Sequence, residues 1–143
     1  MAVMHDEPPM MAGWNLALRF ALEIMSFVGI AVGAWSLTDG ALRWIAVIAA
    51  PLAAAVVWGT FNVAGDPSRS GRAPVEVTGP VRLLVELSVL GLGMAGLLFT
   101  VPWLGALGVC CVLVHYGAGW PRVAWLLRSS WSSAVTARVG RPT

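Results

Sequence analysis

Leu16-Ala-Leu-Arg19-Phe-Ala-Leu-Glu23-Ile-Met-Ser-Phe-Val-Gly29-Ile-Ala-Val-Gly33-Ala-Trp35-Ser-Leu37 is the stretch on which the fold turns. Apart from Arg19 and Glu23 it holds almost nothing that prefers water. Its length matches the ~20 residues with which a helix crosses a ~30 Å hydrocarbon core. Trp14 and Trp35 bracket it, and 21 residues at 1.5 Å each separate them by roughly 31 Å. Indole rings favour the two membrane–water interfaces, so this spacing predicts one spanning helix with an aromatic anchor at each face.

Three more apolar stretches follow, at about 44–61, 81–101 and 103–120. None shows the ~10-residue alternation of barrel strands. In lipid the backbone has to satisfy its own hydrogen bonds, so helices are expected throughout. The fold class read from this pattern is all-α: an integral membrane bundle of four transmembrane helices over 14–128. A loop at 62–80 joins the second and third helices, and tails at 1–13 and 129–143 flank the bundle. That loop is rich in Gly, Pro, Asp and Ser and reads as a chain of turns, either a solvated linker or a lid over the helix ends.

Composition agrees with this class. The 143 residues are 58% hydrophobic and 11% charged, against about 25% charged in a soluble domain. Mean hydropathy is +0.79. An ordinary soluble globule and a disordered chain are thereby disfavoured. A formal charge of +2 and arginines without aromatic interleaving give no nucleic-acid surface. Arg69, Arg72, Arg82, Arg122, Arg128, Arg138 and Arg141 gather on one side of the spans, while Arg43 stands opposite beside Asp39. The positive-inside rule then places both termini and the middle loop in the cytoplasm of a bacterial inner membrane. The acidic start His5-Asp6-Glu7 is unlike the basic region of a signal peptide, so the first helix is expected to be retained.

A weak internal repeat runs through the spans. Arg19 and Arg82, Glu23 and Glu86, and Gly33 and Gly96 all share an offset of 63 residues. This is the signature of two helix hairpins repeated in parallel, with the first and third helices running the same way. Gly29 and Gly33 form a small-xxx-small motif suited to close packing inside the bundle or, less simply, to a homo-oligomer seam.

Intramembrane charge is costly and calls for an explanation. Arg19, Glu23, Asn62, Arg82, Glu86, His115, Tyr116 and Arg122 all fall near the cytoplasmic ends of the helices, with Arg122 sharing a face with His115 if the fourth helix continues through Pro121. One reading is structural: cross-bundle pairs Arg19–Glu86 and Arg82–Glu23 would glue helices together. The other is a site, with Glu23, Glu86 and His115 as acid–base groups and Arg19, Asn62, Arg82, Tyr116 and Arg122 holding a substrate. Cys110 and Cys111 lack a redox spacing and read as packing residues. No metal-ligand spacing, phosphate loop or serine-nucleophile motif is present, so no metal and no cofactor are expected.

Leu18-Arg-Phe-Ala-Leu-Glu23, Trp58-Gly-Thr-Phe-Asn-Val-Ala-Gly-Asp-Pro-Ser-Arg-Ser-Gly-Arg72, Val81-Arg-Leu-Leu-Val-Glu86 and Val114-His-Tyr-Gly-Ala-Gly-Trp-Pro-Arg-Val-Ala-Trp-Leu-Leu127 together resemble the YrdB-like family of small bacterial membrane proteins. The likeness covers residues 14–127 and implies a four-helix membrane protein; it implies no activity and carries over no catalytic residue. On the residues alone, the expected function is binding of a lipophilic small molecule at the Arg/Glu/His cluster near the cytoplasmic leaflet. In its enzymatic version, a glutamate would donate the proton for isomerisation or cyclisation of a prenyl-type or epoxide substrate. A small transporter or transporter subunit, and a non-catalytic membrane assembly protein, are the alternatives. The expected partners are the lipid bilayer, the lipophilic substrate and a second copy of the chain.

Overall fold

The computed structural model describes residues 9–66 and 74–128. Arg69, Arg72, Arg138, Arg141 and most of both expected tails lie outside the described residues. The elements are α1 (Gly13–Leu37), α2 (Gly40–Thr60), β1 (Phe61–Asn62), β2 (Val75–Glu76), α3 (Gly79–Thr100) and α4 (Pro102–Ala118), followed by α5 (Trp120–Arg128). The helices are each slightly displaced from the apolar runs read in the sequence, because the first turn recruits flanking residues such as Gly13, Gly79 and Pro80. α1, α2 and α3 are each long and apolar enough to cross a membrane; α4 and α5, bent by 68° where they meet, count as a fourth only if the pair forms one broken span.

That bend corrects one expectation. The fourth helix does not run through Pro121; α4 stops at Ala118. Proline has no N–H to give and its ring crowds the carbonyl four residues back, so it favours the first turn of a new helix over the interior of an old one. The Gly119 N–H closes α4 on the His115 carbonyl at 2.9 Å, and the Gly119 carbonyl then receives the N–H groups of Arg122 and Val123. Arg122 is therefore delivered to the bundle end by α5, not by the His115 face of α4.

The loop after α2 is also more ordered at its ends than a series of turns. β1 and β2 pair in parallel, Phe61 with Val75 and Asn62 with Glu76, and the Val77 N–H donates to the Asn62 carbonyl at 2.9 Å. Beyond β1, Gly65 takes a left-handed φ of +77°. Glycine occupies that region without a Cβ penalty. The turn it makes aims Asp66 back into the protein, where Asp66 is 3% exposed.

α1 and α3 form the centre and run in the same direction, as the repeat predicts. Arg19 meets Glu86, and farther along Gly29 lies on Gly93 and Gly33 on Gly96. The approach is set by the absence of side chains. A Cβ on Gly29 would stand 2.0 Å from the Gly93 carbonyl oxygen, and one on Gly96 would stand 2.0 Å from that of Gly29. The small-xxx-small motif thus packs within the bundle. α4 runs antiparallel beside α3, with Gly105 against Leu98 and Gly108 against Met94. α2 lies mainly against α1, and Trp58 at its end joins Leu22, Val89, Leu90, Met94 and Leu97 in the core.

The polarity of the molecule is inverted relative to a water-soluble bundle. Phe20, Ile24 and Val28 form one exposed stripe on α1, Ile45, Ile48, Leu52 and Val56 another on α2, and Phe99, Leu107 and Leu113 extend the pattern to α3 and α4. Meanwhile Arg19, Arg82, Glu86, Asp66 and Arg122 are buried. Contiguous apolar surface of this extent is foreign to soluble monomers.

Candidate functional site

Every predicted site residue lies within the described chain, and most converge at the end of the bundle where α1 and α3 begin. Arg19 is six residues into α1 and Glu86 seven into α3, or roughly 10 Å along each axis. Parallel neighbours that carry their charges at the same depth bring them together.

Glu86 is the hub, with its side chain 1% exposed. Its Oε1 accepts from Arg19 Nη2 at 2.7 Å, Arg82 Nε at 3.0 Å and Arg122 Nη2 at 2.9 Å. Its Oε2 accepts from Arg122 Nη1 at 3.1 Å and from the Tyr116 hydroxyl at 3.3 Å. A carboxylate offers about four lone-pair sites, and these five donors use them. Arg82, itself 0% exposed, also donates from Nη1 to the carbonyls of Trp58 at 2.8 Å and Phe61 at 2.7 Å. Those carbonyls belong to the last turn of α2 and to β1, where helical partners run out. A charged side chain of α3 thereby closes α2. The Trp58 ring lies under both cations, 4.8 Å from Arg82 Cζ and 5.5 Å from Arg19 Cζ.

Arg122 bridges to the loop. Its Nε donates to Asp66 Oδ1 at 3.1 Å and its Nη2 reaches Asp66 Oδ2 as well as Glu86. Asp66 is a residue the sequence reading did not single out. The signal was present: a carboxylate directly after a glycine in the otherwise uncharged start of the loop. Asn15 was missed too. It is 2% exposed, and its amide clasps one residue of α4 twice, Nδ2 donating to the His115 carbonyl at 3.3 Å and Oδ1 facing His115 Nδ1 at 2.7 Å. With the amide N–H committed to a carbonyl, Oδ1 is the acceptor and Nδ1 carries the proton. His115 hydrogen-bonds Asn15 and sets its ring edge-on to Tyr116 at 5.1 Å. It therefore stands behind Tyr116 in the network. Asn62 Nδ2 donates to the Gly59 carbonyl at 2.8 Å, a capping role at the end of α2.

The two glutamates are not equivalent. The expected cross-bundle pair Arg19–Glu86 forms, whereas Arg82 makes its ion pair with Glu86, four residues on in its own helix. Glu23 is met by Arg19 Nε at 3.2 Å, and its side chain is 19% exposed. The asymmetry arises because Arg122 and Tyr116 approach from the α4–α5 side, where only Glu86 faces them. Arg19 Nη1 and the Ser26 hydroxyl are buried without a hydrogen-bond partner among the described residues. No group of three or more His, Cys, Asp or Glu side chains suited to a metal occurs among the described residues.

Beside this network runs an apolar groove of about 950 Å³ between α1, α2 and α3. Ile30, Ala34 and Leu37 line it from α1, Ala53 and Val57 from α2, and Leu84 through Phe99 from α3. Its near end, at Val57 and Leu84–Val85, is level with Trp58 and Glu86.

Comparison with known proteins gives the family. The family model described as a protein of unknown function, DUF2568, matches residues 17–115. The uncharacterised protein YrdB of Bacillus subtilis (strain 168) is 35% identical over 114 residues, which cover 79% of this chain and 93% of that protein. No solved structure matches. The chain belongs to the DUF2568 family, which includes the span from Arg19 to His115 that builds most of the network.

Proposed function

We propose that this family member is a multi-pass protein of the bacterial cytoplasmic membrane, with both termini inside, that binds a lipophilic small molecule. The chain of the ligand lies in the groove between α1, α2 and α3, and its polar end reaches the Arg/Glu cluster near the cytoplasmic leaflet. The observation that carries this reading is the groove itself. About 950 Å³ is at the upper end of what small-molecule sites enclose, and its walls are apolar apart from Ser36 and Ser88. Its adjacency to the one buried charge cluster among the described residues supplies a polar end point.

The chemistry available there is limited by the hydrogen bonds. Glu86 has no lone pair to spare for a proton, which argues for a fixed anchor in place of an acid. An isomerase or cyclase version of the function would rest on Glu23, which keeps unused lone pairs. A transport path would have to cross the outer half of the bundle. Beyond Glu23 the described residues place no Asp, Glu, Lys, Arg or His before the Asp39–Arg43 pair at the far end. The saturation of Glu86 does favour one further reading, in which the network serves only to fasten the helices of an assembly protein.

Ala53→Trp separates these. Ala53 lines the groove from an exposed position on α2, so an indole there fills the groove without entering the core. Binding of a fluorescent long-chain hydrophobe to the detergent-solubilised protein is expected to fall at least tenfold in the variant, with unchanged thermal unfolding. Equal binding by both proteins would leave the assembly reading standing.

A further inference from the structure

We infer that the ligand of this groove carries a neutral carbonyl within its apolar chain, and that the Ser88 hydroxyl donates a hydrogen bond to it. The inference rests on the groove reading above and adds the chemistry of one point along the chain.

The walls set the first constraint. On α3 the wall is a single helical stripe, Leu84, Ser88, Leu92, Ala95 and Phe99, spaced at i, i+4, i+8, i+11 and i+15. α1 and α2 add glycine, alanine and aliphatic residues, with Ser36 the other hydroxyl. No charged side chain is among the described residues that line the groove. The part of a ligand held there is therefore uncharged, because a charge would be out of water with nothing on the walls to match it.

Hydrogen bonding then singles out Ser88. In a helix a Ser or Thr hydroxyl can bond back to a carbonyl about one turn earlier. Ser36 does so to Gly33 at 2.8 Å, Thr38 to Ala34 at 2.7 Å, Thr60 to Val56 at 2.6 Å and Thr100 to Gly96 at 2.8 Å. Ser88 makes no hydrogen bond among the described residues, and it is exposed on the groove wall. Ser26 also lacks a partner, but it is 0% exposed and shut in against Gly93. Among the described groove residues, Ser88 alone has a hydroxyl both open and uncommitted.

In a bilayer this exposure is to hydrocarbon. A hydroxyl without a partner is costly there, so a ligand oxygen that accepts the Ser88 proton recovers stability. A carbonyl accepts and brings no donor of its own. With a ligand hydroxyl in its place, two O–H groups would share one hydrogen bond and one proton would lack an acceptor on these walls.

Helical rise gives the position. Ser88 is four residues, or roughly 6 Å, past Leu84 and eleven residues, or roughly 16 Å, short of Phe99. The carbonyl thus lies about a quarter of the way along a chain that fills the groove. Glu86 stands two residues earlier, roughly 200° round the helix, so its contacts with Arg19 and Arg122 belong to another face of α3.

The experiment is displacement of a fluorescent long-chain hydrophobe from the full chain in detergent. The competitors are a linear hydrocarbon and two ketones of the same length, one with its carbonyl about a quarter of the way along and one with it at the midpoint. The quarter-position ketone is expected to bind about fivefold more tightly than the other two, the net worth of one hydrogen bond at about 1 kcal/mol. Ser88→Ala is expected to bring it down to the affinity of the hydrocarbon. Hydrocarbon binding and the unfolding temperature should stay unchanged, since Ala suits an exposed helical position. Ser36→Ala, which removes a hydroxyl already committed to Gly33, is expected to keep the preference. Equal binding of the quarter-position ketone and either other compound to the wild type, or a preference that survives in Ser88→Ala, overturns the carbonyl assignment and leaves the groove reading in place. If no compound of the set displaces the hydrophobe, the groove reading itself falls.

Discussion

Glu86 and Glu23 occupy equivalent places in the repeat, yet they carry different energetic burdens. Replacing Glu86 with Gln leaves Arg19, Arg82 and Arg122 facing one another with a neutral amide between them. Breaking a buried pair in this way typically costs about 3–5 kcal/mol. Thermal unfolding in detergent is expected to drop by many degrees for Glu86→Gln. Glu23→Gln removes the charge from a part-buried carboxylate with one described partner, and the amide oxygen can still accept from Arg19 Nε, so its cost should be well below that of Glu86→Gln. Similar losses in both variants would contradict the hub geometry. The sequence made the two look alike because residues at i and i+4 read identically in each helix. Their difference comes from Arg122 and Tyr116, which arrive from distant parts of the chain. A local pattern carries no information about such partners.

At the scale of helices, the α1–α3 crossing is the tightest contact and the most legible one. Ser26, Gly29 and Gly33 on α1 fall on one stripe, and Gly93 and Gly96 answer them on α3. Gly29→Ala puts a methyl against a backbone carbonyl that cannot step aside, so it is expected to cost about 1–3 kcal/mol or to separate the two helices. Gly91→Ala meets nothing within 4 Å and should leave unfolding unchanged or slightly raised, since Ala is the better helix former. Comparing the two by thermal unfolding checks the crossing directly. The break between α4 and α5 was less legible. Pro121 was visible, but proline permits both a kink and a fresh start, and only the Gly119 turn selects the second. The loop shows the same limit from the other side. Asp66 ties it to α5 through Arg122, so Asp66→Asn is expected to quicken protease cleavage after β1 while leaving the helices resistant. An unchanged cleavage rate would mean that Arg122 does not restrain the loop.

Taken as a whole, the molecule wears many of its apolar side chains outside and keeps its buried charges at one internal end. Hydropathy and tryptophan spacing were enough to read the helices and their order. The groove was not readable, because it depends on how far α2 stands from α3, with Ala53 and Ala95 both on its walls. Small residues in a sequence announce close packing and open space equally well. The proposed orientation can be checked with single cysteines in a background lacking Cys110 and Cys111. Asp39→Cys is expected to react with an impermeant maleimide added to intact cells, and Glu76→Cys only after the membrane is opened. The reverse pattern would invert the orientation and move the charged end to the outer leaflet.

The bend at Gly119–Pro121 also has a consequence for biosynthesis. Chains emerge N-terminus first, so Arg19 and Glu23 enter the bilayer as a matched pair, and Arg82 follows with Glu86 soon after α2. Asp66 makes its described ion pair at longer range. Its cation is Arg122, which leaves the ribosome 56 residues later and sits two residues into α5. Until then the bridge from the loop through Arg122 to Glu86 cannot form. Arrival of Arg122 is therefore the step that completes assembly, and a chain halted before it would expose to quality control a charge that the finished protein hides.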